Sequence, residues 1–145
     1  MPMKSQEERK EILLQVGVKV FLKNENKKYL LLKRFQERYP NVKNPWDIPG
    51  GRIIPGTKLI ENIKREVREE TGLEIFGEIK LVGAQDIIRL PEKHIVRLTF
   101  TSSTKGTPVL DGESTEFKWL NQKEILDLEG LDEFTKELIL QGVLD

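Results

Sequence analysis

Val16, Val18, Val20 and Leu22 alternate with Gly17, Lys19, Phe21 and Lys23, the two-residue period of a strand. Residues 23–28 are a polar turn, and residues 29–32 resume an apolar strand, so the two are expected to pair as a hairpin. Residues 35–45 read as a loop, followed by the short stretch Trp46-Asp47-Ile48-Pro49-Gly50-Gly51 and a turn at Pro55-Gly56. From 58 to 71 the period becomes helical, with Gly72 where a helix C-terminal glycine belongs. Residues 73–89 are strand-like but interrupted at Gly77 and Gly83, and Val96, Leu98 and Phe100 alternate with Arg97, Thr99 and Thr101 as a further strand. After a loop over 102–115 and a short strand over 116–120, Asn121 and Glu124 have capping-box spacing. Asp132 then opens a last helix whose apolar side carries Phe134, Leu138 and Ile139. Strands, one central helix, more strands and terminal helices predict an α/β (mixed α+β) fold with a mixed sheet between helices, built as one domain over residues 1–145.

Composition narrows the classes of function. The chain of 145 residues is 37% apolar, enough for one core, and has no apolar run of the roughly 18 residues that spans a membrane. Its opening residues, MPMKSQEERKEI, lack the apolar stretch of a signal peptide, which leads to the expectation of a cytoplasmic protein. There is no cysteine, which removes disulfides, thiolate metal sites and cysteine nucleophiles. Lys and Arg together number 24, as do Asp and Glu, so no basic excess points to nucleic acid.

Residues 51–73, GRIIPGTKLIENIKREVREETGL, carry the candidate chemistry. At about 100° per residue, Leu59, Ile60, Ile63 and Val67 share one stripe, with Lys64, Arg65 and Arg68 away from it. Glu66 and Glu70 fall at the edge of that stripe, and Glu69 lies next to them. A charge run on a helix is commonly just its solvated face, but such charges belong opposite the core. Like charges four residues apart destabilise a helix by about 0.2–0.5 kcal/mol, and acids in its C-terminal half oppose the macrodipole. A bound cation would reverse all three penalties. Ligands offering only oxygen select magnesium or manganese over zinc, and the lone His94 supplies no histidine cluster.

Gly51, together with Arg65-Glu66-Val67-Arg68-Glu69-Glu70-Thr71-Gly72-Leu73 at its spacing from that glycine, resembles the box of the Nudix (MutT-like) hydrolases. The preceding Trp46-Asp47-Ile48-Pro49-Gly50 is similar to that family's lead-in. One box position departs: Thr57 stands where the family has a glutamate that supports the box arginine, and its hydroxyl is expected to cap the helix instead.

The resemblance implies an α/β/α sandwich and metal-assisted attack of water on a diphosphate linkage in a nucleoside diphosphate derivative. Candidate substrates are a nucleoside triphosphate, ADP-ribose or another nucleotide sugar, or a dinucleoside polyphosphate. Glu66, Glu69 and Glu70 would hold Mg2+ or Mn2+, joined by a backbone carbonyl at Gly50 or Gly51, with Arg65 orienting a carboxylate. For the general base it points to a late loop, where Glu113 is favoured over Glu116, with a box glutamate as the third choice. Arg34 is a candidate phosphate contact. Phe35, Tyr39 and Trp46 are candidate base-stacking residues, against the competing reading that they pack in the core or loops. The chain is expected to act on a small-molecule nucleotide without nucleic acid or membrane, alone or as a homodimer. The rival reading is a nucleotide-binding regulatory domain without turnover, which Thr57 favours. Isomerisation of an isoprenoid diphosphate needs a cysteine that the chain lacks.

Overall fold

The computed structural model describes residues 11–145, so the polar opening segment lies outside the described residues except for its last two. The elements are β1 (Leu13–Lys23), β2 (Tyr29–Arg34), β3 (Trp46–Asp47), β4 (Gly50–Arg52), α1 (Leu59–Thr71), β5 (Ile75–Leu90), β6 (Lys93–Thr104), β7 (Ser114–Leu120), α2 (Gln122–Leu126) and α3 (Glu133–Leu140). The strands form one mixed sheet in the order β3-β2-β1-β6-β5, with β4 branching from β1 and β7 from β2. β1 is the hub. It runs parallel to β6 along its whole length, pairs antiparallel with β2 at Lys23↔Tyr29, and pairs antiparallel with β4 over Gly17, Val18 and Lys19.

The two-residue period of β1 and β2 distributes side chains between two cores. Val18, Val20, Leu22, Leu30 and Leu32 join Ile63 and Val67 of α1 on one face. Phe21, Tyr29 and Leu31 join Trp46, Ile48, Ile125, Leu138 and Ile139 on the other, under α2 and α3. A mixed sheet between helices, as expected, therefore follows from alternation that is apolar on both sides. No helix of the described residues is long and apolar enough to cross a membrane.

Five local expectations are corrected. Gly77 and Gly83 do not break the strand: β5 is continuous, with register shifts between Phe76 and Lys80 and between Leu81 and Gly83 that absorb them as bulges. β6 continues to Thr104 and β7 starts at Ser114, shortening the loop between them. The N-cap of α1 is Lys58 without a side-chain cap, so Thr57 does not cap the helix; Gly72 does end it, donating its N–H to the Arg68 carbonyl. Finally, the start of the α1 stripe is not buried: Leu59 and Ile60 are exposed, while Asn62 is 0% exposed. In α3 the buried face carries Thr135 instead of Phe134, because the Thr135 hydroxyl donates to Asp47 at 2.5 Å.

Candidate active site

Two glycines bring a strand and a helix into direct contact. β4 places Gly50 beside Lys19 and Gly51 beside Val18, with the C-terminal half of α1 packed over it. Gly50 has φ 141°, where a side chain is strained, and a Cβ there would run into the Val18 carbonyl. A Cβ on Gly51 would lie 2.7 Å from Oε2 of Glu66. The absent side chain is the space the carboxylate occupies. One turn along, Oε1 of Glu70 accepts the Gly50 N–H at 2.8 Å. Glu66 and Glu70 thus face the glycine strand and not bulk water, the arrangement their place on the helical wheel suggested.

Their environment raises both acids. Burial pushes Glu70 up to about 7, against the pull of Lys19 and the Gly50 N–H, and the charges of Glu66 and Asp111 push the same way as burial. Glu66 is also raised by burial, opposed by Arg65 and reinforced by Glu69. A site that makes two carboxylates expensive to ionise gains when a cation arrives.

Arg65 organises the rest. Its Nη2 lies 3.1 Å from Oε1 of Glu66, its Nη1 donates to Oε2 of Glu69 at 3.1 Å, and Nη2 also donates to Oδ1 of Asn62 at 3.2 Å. Nε of Arg65 is buried without a hydrogen-bond partner among the described residues. Arg65 draws Glu69 aside, and among the described residues no three acidic or histidine side chains stand gathered as a metal group. The donors nonetheless suit a hard divalent cation: two half-buried carboxylates set against glycines that carry no Cβ.

Lys19 was not anticipated. Its Nζ donates to the Ile48 carbonyl at 3.2 Å and the Gly50 carbonyl at 3.3 Å, and pairs with Asp47 at 3.3 Å. Asp47 in turn is gripped by Arg97, which also binds Asp132 at 3.1 Å. Burial alone would raise Asp47, but Arg97, Lys19 and the Thr135 hydroxyl hold it well below the usual carboxylate range. Asp132 is raised by burial and by Asp47, with Arg97 opposing. The signal available in the sequence was Lys19 between Val18 and Val20 and Arg97 between Val96 and Leu98, charges in the middle of otherwise apolar-alternating strands.

The other candidates are dispersed. Glu113 is exposed; its N–H donates to Oδ1 of Asp111 at 3.0 Å and its carbonyl accepts from Phe35 at 2.9 Å. Asp111, not singled out in the sequence, is the acid of this loop whose charge reaches Glu70. Glu116 pairs with Lys33 at 3.4 Å, on a strand that faces a different cleft. The Arg34 guanidinium sits 5.0 Å over the Tyr39 ring at the exposed end of β2. Trp46 is 5% exposed in the core, with the Lys118 ammonium over its ring, which leaves no open ring face for a stacked base. His94 bonds Asp86 at 2.7 Å on the β5–β6 hairpin.

A family profile described as NUDIX domain matches residues 13–141. A Bacillus subtilis protein named "Putative 8-oxo-dGTP diphosphatase" is 35% identical over 106 residues, spanning 72% of this chain and 65% of that protein. The m7GpppN-mRNA hydrolase NUDT17 of Xenopus laevis is 42% identical over 64 residues, covering 43% of this chain and 21% of its own length. The chain thus spans less than two thirds of these relatives. The nucleoside triphosphatase NudI of an Escherichia coli strain is 27% identical over 128 residues, 80% of this chain and 89% of that one. Among solved structures, the MutT protein from Methanosarcina mazei Go1 superposes with a TM-score of 0.77 at 27% identity, covering 90% of this chain and 94% of that one.

Proposed function

The chain belongs to the Nudix family, and from that premise we propose that it is a metal-dependent hydrolase of a phosphoanhydride bond in a nucleoside triphosphate or related nucleoside diphosphate derivative. The observation that carries this reading is the packing of the Glu66 and Glu70 carboxylates onto Gly51 and Gly50. Glu66, Glu70 and Glu69, with a carbonyl of Gly50 or Gly51, would hold Mg2+ or Mn2+. The bound cation supplies charge neutralisation on the diphosphate and a more acidic water. Arg65 keeps Glu66 turned toward the strand, and Lys19 fixes the carbonyls of the preceding loop. Water then adds to phosphorus, the bridging P–O bond breaks, and the water proton passes to an acid of the 111–113 turn or the box. Asp111 has the electrostatic reach to Glu70, while Glu113 is tied to Asp111 through its backbone.

The names of the Bacillus subtilis and NudI relatives favour a triphosphate as the diphosphate-containing substrate. A cleft of about 460 Å³ bordered by residues 41–44, Arg89, Asp132 and Glu133 has the size and the amide and carboxylate groups to take a nucleobase. The proposed setting is a single catalytic domain in the cytoplasm. The test is product release from ordinary and oxidised nucleoside triphosphates, nucleotide sugars, dinucleoside polyphosphates and capped RNA, each with Mg2+, with Mn2+ and with chelator. Metal-dependent turnover of one class is expected. Nucleotide binding without turnover of any of them would transfer the assignment to the regulatory reading that Thr57 favours.

A further inference from the structure

Asn62 is wholly buried beneath the first turns of α1, and every hydrogen-bonding position it uses is directed. Its Nδ2 donates to the carbonyls of Thr57 at 2.9 Å and Lys58 at 2.8 Å. Its Oδ1 accepts the Ile54 N–H at 2.9 Å and Nη2 of Arg65 at 3.2 Å. The two carbonyls require the amide nitrogen on their side, so the oxygen is obliged to face Arg65. A guanidinium is a rigid planar fork; once Asn62 holds one Nη, the direction of the remaining donors toward Glu66 and Glu69 is set. Thr57, by contrast, contributes no described side-chain bond to Arg65; the support comes from within the helix, three residues before the arginine.

We propose that Asn62 is a positioning residue of the hydrolytic site: acting through Arg65, it holds the Glu66 carboxylate in the cradle of Gly51. This rests on the reading of the box as a metal-dependent active site. The competing role is purely structural, the closing of residues 54–58 onto α1 through the same amide.

Two substitutions separate the roles. Asn62→Ala removes both the loop bonds and the hold on Arg65. Asn62→Asp keeps an oxygen for Ile54 and Arg65 but sets another against the Thr57 and Lys58 carbonyls, so of the loop bonds it loses those to Thr57 and Lys58 and it keeps the hold on Arg65. With folding verified by thermal melts, Asn62→Ala should lose about 10-fold or more in kcat and bind Mn2+ correspondingly less tightly. Its KM should move by less than about threefold. Asn62→Asp should stay within about threefold of wild type in kcat and Mn2+ affinity despite a lower melting midpoint. Arg65→Ala, which spares the loop bonds, should reproduce the kcat loss, and adding Asn62→Ala to it should lower kcat no further.

Wild-type kcat in Asn62→Ala, equal losses in the Ala and Asp variants, or losses that add in the Arg65→Ala background would each overturn the proposal. A wild-type protein with no metal-dependent turnover would instead sink the reading of the site. The Mn2+ affinities would still report whether Asn62 sets the carboxylates.

Discussion

Two mixed-charge clusters flank the Trp46–Gly51 segment, and they are built in opposite ways. In one, Asp47 and Asp132 meet Arg97 and Lys19, and the Thr135 hydroxyl and the start of α3 take up further lone pairs. Acids and bases balance, and Arg97 is only 4% exposed. In the other, Glu66 and Glu69 share Arg65 while Glu70 accepts the Gly50 N–H, and Lys19 reaches Glu66 and Glu70 only through space. The acids outnumber the bases, and two of them lie against backbone glycines. The closed cluster satisfies itself and fixes where α3 meets the sheet. The open one is left short of positive charge on the side where a cation and a diphosphate would sit. A buried charge that is fully paired reads as architecture, and a half-buried excess of one sign reads as a place for a ligand.

The contrast is broken most severely at Arg97. Arg97→Met should destabilise the fold by about 3–5 kcal/mol in denaturant titrations, because buried Asp132 loses its described ion pair and Asp47 is left with Lys19 alone as a counter-charge. A stability within error of wild type would mean that the closed cluster carries no structural role.

Glu70→Gln should do the reverse. Turnover should fall by about 100-fold or more as a metal oxygen is lost, while the fold persists because glutamine still accepts the Gly50 N–H. Near-normal activity would remove Glu70 from the metal site. The same variant sharpens the comparison through pH. Glu70 is raised in the fold from 4.5 to about 7, so in metal-free protein its contribution to stability is full below pH 4.5 and is lost as pH rises toward 7. Asp47 has the opposite sign: its lowered value contributes stability above its ordinary 3.8 that is lost as pH falls toward the folded value. Melting curves with chelator should therefore show Glu70→Gln gaining on wild type between pH 5 and 7 and not below pH 4.5.

The smallest effect is expected at Thr57→Glu. With Arg65 already held by Asn62, a second carboxylate there should leave kcat within about a factor of a few of wild type or raise it, with added surface pairing worth about 1 kcal/mol at most. A large fall in kcat would show that Thr57 belongs to the site in its own right.

Much of this was legible along the chain. Alternation in β1, the helical period over 58–71 and the capping-box spacing before α2 are local signals, and each element formed where the pattern placed it. Glu66 and Glu70 stood out because their position contradicted a solvated face. What was missed depends on partners distant in sequence. Thr135 reads as a polar helix position until Asp47, 88 residues away, accepts its hydroxyl. Asn62 looks like a break in an apolar stripe until the loop carbonyls fold back onto it. Trp46 stood between stacking on a base and packing in the core, and its packing, which leaves it 5% exposed, decides for the core.

The sequence by itself determined the element order, the helix over 58–71 and the place of Glu66 and Glu70 at the edge of its apolar stripe, since these follow from period and spacing. Only the tertiary structure decided which acid is half-buried and which is drawn aside, that Lys19 braces the glycine loop, and that Asn62 supports Arg65. Those outcomes are set by desolvation and by hydrogen-bond geometry among groups that chain order does not bring together.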